Sequence, residues 1–174
     1  MIRLATLSDI PAVAGIYDAI HTLEEKGQAA TGWKRGIYPT RATAEAALGA
    51  GSLFVYEKEG QILASAKIDR EQVAEYSNAA WQWDAPEDQV MVLHTLVVLP
   101  EAAGQGIARA FVAFYEDYAL QNNCPYLRMD TNARNTRARG LYQRLGYQEA
   151  GIVASDFQGI GRIELVCLEK LLTS

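Results

Sequence analysis

Cysteine and histidine are scarce, with two of each in 174 residues. Cys124 and Cys167 are too few for a disulfide framework and too far apart for a C-x-x-C pair. His21 and His94 lack H-E-x-x-H spacing, so metal hydrolysis is set aside and no metal is expected. No apolar run is long enough to cross a bilayer and no secretory leader is read at the start. A reducing, cytoplasmic setting without a membrane partner is therefore expected. Basic runs and stripes are also missing: 16 Lys and Arg face 21 Asp and Glu, for a net charge of −5. That argues against nucleic acid as a partner. A Gly-Lys-Ser/Thr phosphate loop is absent, as are repeats, low-complexity segments and linkers.

What remains is ordinary for a soluble globular chain, with 49% hydrophobic and 21% charged residues. The length suits one domain over residues 1–174. Residues 2–5 read as a strand. Ser8 or Asp9 can cap a helix with Pro11 in its first turn, and Val13, Ile16, Tyr17, Ile20 and Leu23 recur at helical spacing. Residues 27–41 are polar and turn-rich but carry Trp33, Ile37 and Tyr38. Thr40 or Thr43 starts a second helix, and a hairpin follows over residues 52–68 with its turn at 58–61. Residues 69–88 form an irregular insertion with Tyr76, Trp81 and Trp83, long enough either to carry function or to cover an apolar edge. The strand at 90–98 is nearly all apolar and should be buried on both faces. Ile107, Phe111, Phe114, Tyr115 and Tyr118 mark the buried face of a long helix. A strand at 125–130, a helix at about 135–145 with Gly146 as its C-cap, and a closing pair of strands complete the chain. Helices and strands alternate only in part, which predicts an α/β (mixed α+β) fold: one mixed sheet flanked by helices.

The segment LVVLPEAAGQGIARAF, from Leu96, is the organising stretch. An apolar strand feeds a glycine turn that opens an amphipathic helix. The first N–H groups of a helix lack internal partners, and the helix dipole favours an anion there. Gly104 and Gly106 let the backbone approach phosphate without a Cβ in the way. A lone G-x-G is weak by itself. A dinucleotide fingerprint would want a third glycine where Arg109 stands, although Asp130 lies about where a ribose-binding acid would.

The second stretch, Asp130 to Tyr147, reads DTNARNTRARGLYQRLGY. Asn135, Ala138, Tyr142, Gly146 and Tyr147, together with Leu96-x-Val98-x-Pro100 and Gly104-x-Gly106-Ile107-Ala108, resemble the GNAT family of N-acetyltransferases. Both signature motifs stand in the family's order and separation. Gly106 and Ala108 match the last two fixed positions of its Arg/Gln-x-x-Gly-x-Gly/Ala turn. Ala103 departs from the first, and Arg109 could shift a phosphate contact in its place. The resemblance implies a mostly antiparallel sheet with a V-shaped splay between two central strands. It implies acetyl-CoA as co-substrate, and a homodimer by family habit. The pyrophosphate would rest on the amides of Gly104, Gln105, Gly106, Ile107, Ala108 and Arg109. The backbone of Leu96, Val97 and Val98 would bond the pantetheine arm as an added strand does, and Asn135 would hold the arm or simply cap its helix.

By the same resemblance Tyr142 is the general acid for the departing thiolate. A phenol titrating near 10 keeps its proton at neutral pH. Core packing is the plain alternative for Tyr142. Asp130 is the first candidate for the base that deprotonates the amine, and a turn acid or a ligand for the substrate ammonium is its alternative. His94 is the runner-up, on a face shared with Leu96 and Val98 by strand alternation, and is also a substrate contact. Trp33 and Tyr38 are either core anchors or walls of the acceptor pocket. The expected reaction is acetyl transfer to a primary amine, of a small molecule or a peptide N-terminus, by direct attack in a ternary complex. Two other readings stand beside it: a ping-pong enzyme using Cys124 or Cys167 with His94, and a non-catalytic acyl-CoA-binding module. Acceptor choice is expected from residues 27–41, 69–88 and 151–161.

Overall fold

The computed structural model describes residues 1–157 and 159–173. Gln158, in the 151–161 turn, therefore lies outside the described residues. The strands are β1 (Ile2–Leu4), β2 (Leu53–Lys58), β3 (Gln61–Asp69), β4 (Val90–Val98), β5 (Tyr126–Asn132), β6 (Gln148–Phe157) and β7 (Gly161–Leu171). The α-helices are α1 (Ile10–Glu25), α2 (Arg41–Gly49), α3 (Ile107–Gln121) and α4 (Thr136–Arg144). The strands form a 7-stranded open sheet in the order β1-β2-β3-β4-β5-β7-β6. β4 and β5 pair in parallel, while β1–β2, β2–β3, β5–β7 and β6–β7 are antiparallel. The parallel ladder runs from Val90↔Tyr126 to Leu93↔Met129 and stops there. Both strands go on, β4 to Val98 and β5 to Asn132.

Local chemistry accounts for the boundaries. Thr40 and Thr43 both act at the start of α2, as the two halves of one capping box. The β2–β3 turn holds Glu59 at φ 52° and Gly60 at φ 79°, the pair of positive values that matches the twist of a two-residue hairpin. On α3, Val112 and Ala119 are fully buried, while Phe114 and Tyr118 are only half-buried. Phe111 and Tyr115 are fully buried too, so the buried stripe combines these aromatics with Val112 and Ala119 and leaves Phe114 and Tyr118 at its margin.

The chain folds as two compact units. The first comprises residues 1–29, 33–68 and 94–115. Its core joins Ile10, Val13, Ile16 and Tyr17 of α1 to Ala44 and Ala47 of α2, Leu53 and Val55 of β2, and Val97 of β4. Its N-terminal edge is pinned by Arg3, which donates to Asp9 Oδ2 at 2.7 Å and to Glu57 Oε2 at 2.8 Å. Asp9 also accepts from the Thr6 amide at 2.7 Å, capping the 3-10 turn Leu7–Asp9 that precedes α1.

The second unit comprises residues 30–32, 69–93 and 116–174. Its core holds Tyr76, Val90, Val92, Ala150, Val153 and Cys167, with Trp81 packed against it. The 69–88 insertion is thus a cover: two 3-10 turns, Ala74–Asn78 and Glu87–Gln89, carry its aromatics onto the sheet. Arg128, buried on β5, anchors it by donating to Gln72 Oε1 (2.8 Å) and Trp83 O (2.9 Å) and by lying 4.2 Å from the Trp81 ring centre. Its cross-strand neighbour Glu169 accepts from the Gln82 amide at 2.7 Å.

Candidate active site

In the first unit, β4 leads through a 3-10 turn, Pro100–Ala102, to the glycine turn and α3. Gly104 and Gly106 have φ of 80° and 76°. A Cβ on either would meet nothing within 4 Å. Glycine is required there by the left-handed backbone, not by crowding. Residues 103–106 are exposed, and at the start of α3 the Ala110 amide donates to Gly106 O at 3.0 Å. α3 has no acidic residue in its first turn, and Arg109 is exposed. Open backbone donors, a helix dipole and no opposing carboxylate fit a pyrophosphate. Just before the turn, Val97 is buried while Leu96 and Val98 are half-buried.

β4 is not a regular strand. Thr95 has φ 51°, a rare and costly conformation for a β-branched residue. Alternation does not carry across such a residue, so the face assigned to half-buried His94 from Leu96 and Val98 is not set by strand period. The Tyr38 hydroxyl hydrogen-bonds Thr95 Oγ1, and the Tyr38 ring meets Trp33 edge-on at 5.9 Å. Trp33 packs on the first unit's core. The structure thus brings Trp33 and Tyr38 together as anchors of the 33–41 segment and of the irregular point in β4. Residues 30–32 belong to the second unit. There a Cβ on Gly32 would come within 2.5 Å of Asn132 Nδ2 at the end of β5.

The second unit holds both Asp130 and Tyr142. Asp130, on β5, is half-buried, and its Oδ2 accepts from Tyr76 Oη at 2.7 Å. Tyr142 projects from α4 and is buried. Burial, and next the charge of Asp130, push its phenol above the ordinary tyrosine range. Cys167 is cross-strand from Asp130. Burial, then the charges of Asp130 and Glu75, push its thiol up to about 12. Such a thiol is not a nucleophile at neutral pH. Cys124 is buried as well, accepting from Arg70 Nε at 3.3 Å.

α4 is fixed at both ends. Asn135 is its N-cap, accepting from the Ala138 amide at 3.1 Å. Its oxygen serves the cap, which leaves its amide N–H2 as the group suited to a ligand. Arg139 donates to both oxygens of Glu149 on β6 at 2.7 Å and to Ala133 O at 2.7 Å. Tyr147 meets Tyr142 edge-on at 6.0 Å and donates to Glu116 at 3.1 Å. Tyr76 is the residue the motifs leave out. It lies 54 positions from Asp130 in an irregular stretch, and its one sequence signal is being an aromatic in an overlong connection.

A model of the acetyltransferase (GNAT) family matches residues 18–147, well over half of the chain and running through both the glycine turn and α4. The chain belongs to the GNAT acetyltransferase family. A Bacillus subtilis relative named as an uncharacterised N-acetyltransferase, YhfO, is 34% identical over 61 residues, 35% of this chain and 41% of that protein. The match therefore spans under half the length of that curated relative. Among solved structures, a GNAT-family acetyltransferase of Streptococcus agalactiae has a TM-score of 0.82 at 21% identity, covering 100% of this chain and 96% of that one. A Salmonella typhimurium protein, yncA, solved with its cofactor acetyl-CoA, has a TM-score of 0.69 at 19% identity, covering 100% and 94% of the two chains. At these identities the structures speak for the GNAT fold. Among the described residues no helix is long and apolar enough to cross a membrane, and no group of three or more His, Cys, Asp or Glu is arranged to hold a metal ion.

Proposed function

We propose that this GNAT protein is an acetyl-CoA-dependent N-acetyltransferase that acetylates a primary amine, of a small molecule or a peptide N-terminus, by direct attack in a ternary complex. The observation that supports the reading is that the charge of Asp130 reaches the buried phenol of Tyr142 within the second unit: one group suited to take a proton and one to give it. Acetyl-CoA supplies the acetyl group already activated as a thioester. Amides of residues 104–109 would hold its pyrophosphate, the backbone of Leu96, Val97 and Val98 its pantetheine arm, and the Asn135 amide group the arm or its end.

Asp130 takes a proton from the substrate ammonium at a carboxylate oxygen, directly or through one water, and frees the nitrogen lone pair. Tyr142 Oη donates to the leaving sulfur. Its raised pKa makes it a reluctant acid in water, but the same burial raises the proton affinity of a thiolate beside it, which narrows the mismatch. Burial, and next the Asp130 charge, keep the Tyr142 proton in place at neutral pH. A ping-pong route is disfavoured by the buried, weakly acidic Cys167. His94, Trp33 and Tyr38 are proposed on the acceptor side, with Tyr38 and Trp33 acting through the anchor at Thr95. Two buried free cysteines support a reducing, cytoplasmic setting, and a homodimer remains part of the proposal from family habit.

Calorimetric titration with acetyl-CoA, followed by CoA release across a panel of amines, tests the reading. Binding lost in Gly106→Trp and turnover lost in Tyr142→Phe are the expected results. No binding by the wild-type protein would overturn it. Binding without turnover on any amine would turn it into an acyl-CoA-sensing module.

A further inference from the structure

We infer that Tyr76 is a positioning residue for the proposed base: its phenol fixes Asp130 as an oriented carboxylate. The inference rests on the acetyltransferase reading for its catalytic meaning, but not for its test.

Tyr76 is 2% exposed and its Oη stands 2.7 Å from Asp130 Oδ2. A phenol is the stronger donor and an ionised carboxylate the stronger acceptor, so the bond favours the charged form of Asp130. The phenol is aimed by its surroundings. Trp81 meets the Tyr76 ring edge-on at 5.3 Å and donates from Nε1 to Tyr76 O at 2.8 Å. Trp81 is held in turn by the Arg128 guanidinium at 4.2 Å. Tyr76 therefore has little rotamer freedom, and it holds one carboxylate oxygen in a set direction. A base whose lone pairs are aimed reaches its proton at a lower entropic cost.

The groups facing Asp130 come from three elements: Tyr76 on the 3-10 turn, Tyr142 on α4 and Cys167 on β7. Glu75 and Arg128 add opposite charges around Cys167. Of these groups, Tyr76 donates a hydrogen bond to Asp130 Oδ2. Removing its hydroxyl takes one donor from the Asp130 carboxylate and leaves its charge less stabilised. The insertion thus does more than cover the sheet, because it delivers a donor to the end of β5.

The test is a carbon-13 NMR titration of the Asp130 side-chain carboxyl, assigned with Asp130→Asn, in wild type and Tyr76→Phe. Phe keeps the ring against Trp81 and removes only the donor. The Asp130 midpoint is expected to rise by about one pH unit in Tyr76→Phe, the scale of a hydrogen bond to a charged group. A 3-fluorotyrosine at position 76, a stronger donor of nearly the same shape, should lower the midpoint below the wild-type value. An unchanged midpoint in Tyr76→Phe, with a native spectrum elsewhere, overturns the inference. If Tyr76→Phe does not fold, the fluorotyrosine protein decides alone: a midpoint that rises or stays fixed overturns it, and one that falls supports it. With an accepted amine in hand, the acid limb of kcat/KM should follow the same shift while acetyl-CoA affinity stays put. Failure of the acetyltransferase reading would show as absent turnover in the wild type and would leave the titration result standing.

Discussion

Residues 103–106 of the first unit are all exposed, and a Cβ on Gly104 or Gly106 would touch nothing. In the second unit, Tyr142 is buried and Asp130 is bonded to Tyr76. One region offers main-chain N–H groups and asks only for a left-handed backbone. The other offers side chains whose properties depend on what encloses them. A turn of the first kind tolerates exchange of its side chains but not of its φ angles. A pair of the second kind tolerates little, because burial, neighbouring charge and helix position all act on the same two atoms. Substitutions should accordingly separate binding from chemistry along the division between the units.

The largest effect is expected from Tyr142→Phe. General acid catalysis is worth roughly 10²–10⁴-fold, so kcat should fall by about that factor while calorimetric affinity for acetyl-CoA is unchanged. A drop in affinity to match would mean that the ring, not the hydroxyl, matters, and the contrast would collapse. Next comes a change confined to the first unit and remote from chemistry. The Arg3 guanidinium holds the Asp9 carboxyl down to about 2, against about 3.9 in an unfolded chain. A depressed carboxylate adds stability that is present above the unfolded value and lost as pH falls from about 4 towards 2. Asp9→Asn should therefore cost about 2 kcal/mol at pH 7 and flatten acid unfolding in that window. Its kcat at 25 °C should be untouched. A smaller effect belongs to Gly106→Ala, in which a Cβ is forced into the left-handed region at roughly 1–2 kcal/mol. Acetyl-CoA affinity should weaken by about tenfold with kcat at saturation kept, and a loss of kcat instead would move the turn into the chemical step.

Both motif regions were legible in the sequence for the same reason: each is local. Gly104 and Gly106 encode a turn, Asn135 encodes a cap, and Tyr142 follows seven residues later on the same helix. β4 was legible as a strand, but the left-handed Thr95 within it was not. No propensity favours threonine there, and its hydroxyl partner, Tyr38, is 57 residues away. Tyr76 was invisible as a site residue because an irregular segment has no period from which to read a facing residue. The buried Arg128 escaped notice for a related cause. An arginine in an apolar strand gives no sign of the Gln72, Trp83 and Trp81 contacts that make its burial tolerable. Phe114 and Tyr118 were assigned to the buried face of α3 by helical spacing, whereas the fully buried stripe joins Phe111 and Tyr115 to Val112 and Ala119.

The finest test asks whether α4 itself, and not only Tyr142, is tuned. Arg139 spans from Ala133 to Glu149, so it ties the start of α4 to β6. Both side chains are about a quarter exposed, at 27% and 24%, and hydrogen bonding to Arg139 holds the Glu149 carboxyl below the usual carboxylate range. A bidentate pair screened in this way contributes about 1 kcal/mol. Glu149→Gln keeps the shape and one acceptor and removes the charge. Stability should fall by about that amount, and the difference from wild type should shrink as pH drops below 4, since the carboxylate's contribution is itself lost there. Asp9→Asn, though costlier to stability, is expected to leave kcat alone. Glu149→Gln should lower kcat by a small factor, about two- to threefold, because the helix it loosens carries the phenol. A kcat equal to wild type in both variants would mean that Tyr142 is positioned by its own buried ring, with the helix clamp serving stability alone.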